Sequence, residues 1–450
     1  MIRAVVLFLI LILLSLGVAW LADHPGHVTV FWLGYRIDSS FAALAALLVV
    51  LAAVSGILWR SWGAVKSAVH RTGAARAERR RNRGYRALTR GFVAVAAGDP
   101  DEARRQAERA DTLLAEPPLT MLLSAQAAQL TGDQEAARKY FTAMLDRPDT
   151  AFLGLRGLIN QALRDRDRHQ ALALARRAYR LRPKTPWLAA MLSELQSQAG
   201  LWGEAAIVLH RARRSGVIAD GRRSEAVALI GQSEAAEAEG RDAETVELLR
   251  RAHKLAPDLV PGAARLASRL AARGDKRRAR KILESAWAEF PHPDLARAFA
   301  ALAPDEDPLA RLQRTARLAK LRPDSGESHI AIAEAALAAE LWGEARRHLR
   351  LALLAPNPGR RVFRLMARLE EEEHGDPVAA RQWLSRAAEA EPDPAWVCRH
   401  CAASAPVWHP LCPSCEAFDG LIWASPARPA IAARASADVP APLAPPAGMA

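Results

Sequence analysis

Apolar residues fall into three successive patterns along this 450-residue chain. Residues 4–21 are an almost unbroken apolar run, and residues 41–59 form a second run that contains no charge. Each is long enough to cross a bilayer core of about 30 Å as a helix. From residue 84 onward the apolar positions instead stand three and four apart, the spacing of one face of an α-helix. Leu119, Leu122, Leu123, Gln126, Ala127 and Leu130 make one such face. Beyond a Thr131-Gly132-Asp133 turn, Ala136, Ala137, Tyr140, Phe141 and Leu145 make the facing one. The helical period stops after residue 394, and after residue 424 few large apolar side chains remain.

The helical stretch repeats itself. Gly98, Gly132, Arg166, Gly200, Gly240, Gly274, Asp307, Glu340 and Gly375 follow one another at intervals of 34, 34, 34, 40, 34, 33, 33 and 35 residues. An alanine stands five positions later in most units (Ala103, Ala137, Ala171, Ala205, Ala279, Ala345, Ala380), and a proline closes most of them (Pro148, Pro183, Pro257, Pro291, Pro323, Pro356, Pro392). A turn residue that tolerates unusual φ, a small side chain where two helices cross, and a proline that ends the second helix describe a helix–turn–helix unit. The period resembles the tetratricopeptide repeat. The expected fold is all-α: two transmembrane helices (1–60), a basic juxtamembrane arm (61–83), a tetratricopeptide-like α-solenoid of about nine units (84–394), a small four-cysteine metal knuckle (395–424) and a disordered Ala/Pro-rich tail (425–450). Two units are irregular. The interval before Gly240 is too long, and the unit around Asp307 has an extended acidic turn, residues 303–308, with no alanine in the expected place.

Charge refines this picture because it is local. The formal net charge is +13, and residues 60–90 hold ten Lys or Arg against one acid, Glu78. The segment 22–40 has only Arg36 against Asp23 and Asp38, while Arg3 precedes the first run. Positive flanks stay on the cytoplasmic side. The expectation is a bacterial inner-membrane protein with two spans, a short external loop, and both termini and the repeat array in the cytoplasm. A cleaved signal peptide fits the first run less well, since no good small-x-small site follows it and a second span lies close behind. A basic block beside a span argues for anionic lipid, not nucleic acid, as the charged neighbour.

Chemistry is concentrated near the C-terminus. All four cysteines stand there as two CxxC pairs, Cys398 with Cys401 and Cys412 with Cys415. In a reducing cytoplasm such pairs suit a metal better than disulfides. Each pair turns two thiolates toward one ion, and two pairs complete a tetrahedral four-sulfur shell. Zinc suits a closed structural site, and a single rubredoxin-like iron uses the same ligands. The simplest structural use of such a knuckle is to cap the last repeat, whose apolar face must be covered. His400 lies inside the first pair and does not follow its second cysteine, so the pattern is not that of covalent haem attachment. The chain shows no phosphate loop, HExxH or nucleophile elbow, and the expectation is a protein that is not an enzyme.

Residues 24–40 read HPGHVTVFWLGYRIDSS. Together with the second apolar run and the basic arm they resemble the HemY-type membrane proteins of proteobacteria. The segment WVCRHC followed by WHPLCPSCEAFDGLIW looks like the extension of alphaproteobacterial members. The resemblance implies a membrane-anchored scaffold of late protohaem synthesis whose solenoid groove gathers porphyrin-handling enzymes. It does not carry the activity of the unrelated flavin-dependent oxidase that shares the name, because no dinucleotide fingerprint is present. Two alternatives remain. Lipopolysaccharide-assembly regulators also join a membrane anchor to such repeats and a rubredoxin-like knuckle, but with one span. A haem or porphyrin carrier would need a ligand pocket that the sequence does not reveal.

Overall fold

The computed structural model describes residues 26–32, 35–114 and 117–426, together with helical positions between 8 and 20. The first apolar run, residues 4–21, therefore lies in part outside the described residues, and the tail beyond residue 426 lies wholly outside them. The described chain is mostly helical and divides into two units, Met1–Tyr140 and Phe141–Ala450.

In the first unit, strands β1 (His27–Trp32) and β2 (Tyr35–Ser40) pair antiparallel, from His27 opposite Ser40 to Trp32 opposite Tyr35. Charge counting marks this segment only as a connection. Its β-branched and aromatic residues make it a hairpin instead, a first departure from an all-α chain. Ser40 then begins helix α1 (Phe41–Ala97), its hydroxyl accepting from the Ala43 amide at 3.3 Å as an N-cap. This one helix has 57 residues and is about 85 Å long at 1.5 Å per residue. Ala43–Trp62 is the one stretch among the described residues long and apolar enough to cross a membrane, and none of it is buried by the rest of the protein. Helix α1 does not break at its basic section. It runs on through exposed Arg76, Arg79, Arg80, Arg81 and Arg83 into the first repeat. There Ala87, Leu88 and Ala94 share a core with Ala103, Ala107 and Ala110 of α2 (Pro100–Leu113) and Leu123 of α3 (Pro117–Leu130). Helix α4 (Gln134–Ala143) follows.

In the second unit the helices continue in pairs: α5 (Pro148–Arg164) and α6 (Arg168–Leu181), α7 (Pro186–Gln198) and α8 (Trp202–Arg214), α9 (Arg222–Ala238) and α10 (Asp242–Leu255), α11 (Val260–Ala272) and α12 (Lys276–Glu289). Then come α13 (Pro293–Ala300) and α14 (Pro308–Ala319), α15 (Gly326–Ala338) and α16 (Trp342–Leu353), α17 (Arg360–His374) and α18 (Pro377–Glu389). First helices of successive pairs also touch one another, α9 on α11, α11 on α13, α13 on α15 and α15 on α17, and so line one face of the stack.

The repeat phase has a direct backbone meaning. Gly98, Gly132, Arg166, Gly200, Gly240, Gly274, Glu340 and Gly375 all have positive φ, the left-handed turn that closes a first helix. Five positions on, Ala103, Ala137, Ala171, Ala205, Ala279 and Ala345 are 0% exposed where the second helix crosses the first. Asp307 departs from this pattern. Its φ is negative, and its carboxylate caps α14 by accepting from the Leu309 and Ala310 amides. Helix α13 has only 8 residues, and Arg311 and Arg314 tie the acidic loop beyond it to the Pro304 carbonyl and the Glu306 carboxylate, at 2.9 and 2.8 Å. The other irregular unit lengthens α9 to 17 residues, against 13 in α7 and in α11.

Three apolar cores fill the second unit. One joins α5 to α8, around Leu155, Ile159, Leu188 and Leu192. Another joins α14 to α17, around Ile332, Leu349, Val362 and Leu369. Between them lies a central core running from α8 to α13, which also contains Trp396, Cys398, Trp408, Cys412 and Leu421 from beyond the last helix.

Candidate metal centre

Beyond α18 the chain forms a three-stranded antiparallel sheet with order β4–β3–β5, from β3 (Ala395–Cys398), β4 (Ser404–Ala405) and β5 (Leu421–Ala424). Two tight loops built on one plan hang from it. In the first, the His400 amide points at Cys398 Sγ (3.4 Å), the Ala402 amide donates to the Cys398 carbonyl (2.9 Å), and the Cys398 amide donates to the Ala403 carbonyl (2.9 Å). In the second, the Ser414 amide points at Cys412 Sγ (3.4 Å), the Glu416 amide donates to the Cys412 carbonyl (2.8 Å), and the Cys412 amide donates to the Ala417 carbonyl (3.0 Å). Both loops turn through a left-handed residue at the same place, Ala402 (φ 58) and Glu416 (φ 57).

These loops bring the four sulfurs of Cys398, Cys401, Cys412 and Cys415 within 4.8 Å of one another. Cys398 lies 3.7 Å from Cys415, and Cys401 lies 3.8 Å from Cys412. Disulfides require about 2.05 Å, so these are four separate thiols. A tetrahedron of sulfurs about 2.3 Å from a central zinc has edges of about 3.8 Å. The spacing therefore fits one ion. Desolvation and hydrogen bonding to the other three thiols push the Cys415 thiol up to about 12, so a cation at the centre is what would let the group ionise together. Cys398 and Cys412 are buried, whereas Cys401 and Cys415 are exposed.

The knuckle does not cap the last repeat. It folds back onto the first-helix face in the middle of the unit, because its polar and aromatic side chains find complements there. Asp419 receives Arg223 Nε at 3.0 Å and Ser224 Oγ at 3.3 Å. Burial pushes the Asp419 carboxyl up, against the pull of Arg223. Glu416 pairs with Arg168, and its carbonyl accepts from Gln198 Nε2 at 3.2 Å. Trp396 Nε1 lies 3.4 Å from the Asp294 carboxylate. His292, fully buried, packs its ring 4.1 Å from Trp423 and 5.3 Å from Trp396. Its Nδ1 accepts from the Asp294 amide at 3.0 Å and so caps α13, which requires the neutral ring. Burial, with Arg297 and Arg361 nearby, lowers the His292 pKa to about 4 despite Asp294.

Arg168, Arg223, Ser224, His292, Asp294, Glu416 and Asp419 carry no local motif. Their one sequence signal was the long interval before Gly240, which supplies the extra first turn of α9 holding Arg223 and Ser224. Of the repeat histidines, His210, His348 and His374 lie beside carboxylates, Glu225, Glu344 and Glu370, and of the repeat tryptophans Trp287 is fully buried. Trp202 fills the space over Gly231, where a Cβ would lie 2.5 Å from the indole. Beside the knuckle a cleft of about 680 Å³ is floored by Ala296, Ala331 and Ala335 and walled by Trp423. Arg361 lies in it between Glu327 and Glu334, at 2.8 and 2.7 Å, and burial pushes the Glu327 carboxyl up.

An apolar span running into stacked helix pairs, with a four-cysteine knuckle laid on one face, defines a membrane-associated helical-repeat scaffold. Residues 26–132 match the family described as HemY protein N-terminus. The "Probable magnetosome protein Mms48" of Magnetospirillum gryphiswaldense is 31% identical over 432 residues, covering 94% of this chain and 93% of its own. The chain belongs to this HemY-type family of repeat proteins. Solved structures align more loosely. A chain in the structure of Naa15/Naa10 bound to HypK-THB is 16% identical with a TM-score of 0.42, over 68% of this chain and 50% of that one, so this chain spans half its length. A tetratricopeptide repeat protein from Parabacteroides merdae is 11% identical with a TM-score of 0.28, over 53% of this chain and 93% of that one. MamA protein is 13% identical with a TM-score of 0.27, over 39% of this chain and 92% of that one.

Proposed function

We propose that this protein gathers partner proteins of late porphyrin and haem synthesis at the cytoplasmic face of a bacterial inner membrane. The observation that carries the reading is helix α1, which joins an apolar span to the first repeat without a break inside the region that matches the HemY N-terminus. In this reading residues 4–21 and Ala43–Trp62 are two spans, and the Arg-rich continuation of α1, by the positive-inside bias, keeps both termini and the repeats on the cytoplasmic side. Cys398, Cys401, Cys412 and Cys415 hold a structural zinc, with a single iron as the alternative occupant. No residue acts as a catalyst in this reading; the first-helix face supplies protein contacts.

A second reading follows from the 31% identity to Mms48: the partners belong to a magnetosome membrane. One deletion strain separates the readings. Accumulated late porphyrin intermediates with normal lipopolysaccharide support the haem scaffold. Normal porphyrins overturn it; altered lipopolysaccharide would then favour a regulator of that pathway, and lost magnetosome formation in a magnetosome-forming host the second reading.

A further inference from the structure

Helical repeats bind foreign segments along the face of their first helices. This chain lays its own knuckle there. The contacts are those of a docked partner: two carboxylates, Glu416 and Asp419, each on an arginine, Arg168 and Arg223, and two indoles, Trp396 and Trp423, against His292. All lie outside the sulfur shell. Conversely, the large apolar side chains of the knuckle, Trp396, Trp408 and Leu421, belong to the central core of the repeats. A segment this short has no independent core, so its fold depends on the ion, and its docking depends on its fold.

We propose that the face from Arg168 to Asp294 is a protein-docking surface whose resident occupant is the metal-held knuckle, and that loss of the metal opens it to a partner segment carrying a carboxylate beside an aromatic ring. Undocking leaves Arg168 and Arg223 without their anions and uncovers the His292 ring. That vacated pattern, two cations and an imidazole ring along one face, fixes the chemistry of the partner. A partner and the metal-loaded knuckle therefore compete for one surface, and metal supply sets the outcome.

The proposal rests on the metal-centre reading, so metal content is measured on the same sample. Full-length protein in detergent is compared before and after stripping with a strong chelator under reducing conditions, by amide hydrogen exchange. Stripping should raise exchange about tenfold or more in α9 and at the start of α13 while α15 to α18 stay unchanged. A fluorescent peptide of residues 416–424 of this chain should bind the stripped protein and not the loaded one. Arg223→Glu should abolish that binding, and in the loaded protein it should raise exchange in α9 with the metal retained. Stripped protein with an unchanged α9, or peptide binding indifferent to metal, overturns the proposal. Protein that carries no metal when purified, yet keeps α9 protected, overturns it too; no metal together with an unprotected α9 counts instead against the metal centre.

Discussion

The central repeats, α8 to α13, and the last ones, α15 to α18, use units of nearly the same length but complete their cores differently. The last pairs close on Ile332, Leu349, Val362 and Leu369, all from their own helices. The central pairs close on side chains contributed from beyond the last helix, Trp396, Trp408 and Leu421. Among the described residues the end of the array is left uncovered: Val378 and Leu384 of α18 are 56% and 49% exposed. A repeat array thus need not be uniform in what sustains it. One segment is sustained by local packing and the adjoining one also by a module whose four clustered cysteines could hold an ion.

The largest expected effect tests that division. Cys412→Ser removes a buried sulfur of the shell, and the metal should be lost with it. A structural zinc contributes on the order of 10 kcal/mol to folding a small module. Exchange protection should therefore collapse in the knuckle and fall in α9 and α11, while α15 to α18 keep theirs. Unchanged metal content by elemental analysis would sink the four-sulfur centre. Next come two truncations measured by chemical denaturation with and without the metal. Trp396→Ala should cost about 3–5 kcal/mol in loaded protein and little in stripped protein. Leu349→Ala should cost about 2–5 kcal/mol in both.

His292 gives a smaller, pH-dependent difference. Its pKa in the folded chain is about 4, below the ordinary value of 6.5, so the unfolded chain binds the extra proton between those values. Stability is complete above about pH 6.5 and is lost as pH falls toward 4, by about 2 kcal/mol between pH 7.5 and pH 5. The charges facing this ring are Asp294, Arg297 and Arg361. His292→Asn, which keeps a capping oxygen, should flatten that part of the pH profile while Leu349→Ala leaves it unchanged. The smallest effect should not distinguish the regions at all. Glu340→Gly relieves a left-handed φ of 56° and should stabilise by about 0.5–1 kcal/mol. Gly240→Ala imposes such strain on the central repeats and should cost about 1 kcal/mol, each with or without metal.

Much of this was legible in the sequence because the repeat demands particular residues. Left-handed turns select glycine, helix crossings select alanine, and the interval between them fixes the phase. Arg166 and Glu340 were found by that interval although neither residue type favours positive φ. Asp307 was misplaced by the same rule: it stands at the right interval but caps the next helix instead of closing the preceding one. The CxxC pairs were legible because both ligands of a loop are close in sequence. The docking of the knuckle was not, since Arg223 and Asp419 meet across 196 positions and each alone is an ordinary surface charge. Nor does periodicity reveal which repeat face a distant module will occupy; the long interval before Gly240 was the trace it left.

The unbroken α1 also fixes an angular relation. Each helical residue turns about 100° and advances about 1.5 Å, so the apolar stretch Ala43–Trp62 and the first repeat share one axle. One residue inserted in the stretch between Trp62 and Gly84 would swing that repeat about 100° around the axle while moving it hardly at all. Seven inserted residues would push it about 10 Å farther from the span and return it to nearly its original heading. The heading of the first repeat is thereby as much a property of this protein as its distance from the apolar stretch, and the two can be altered separately by the number of residues added.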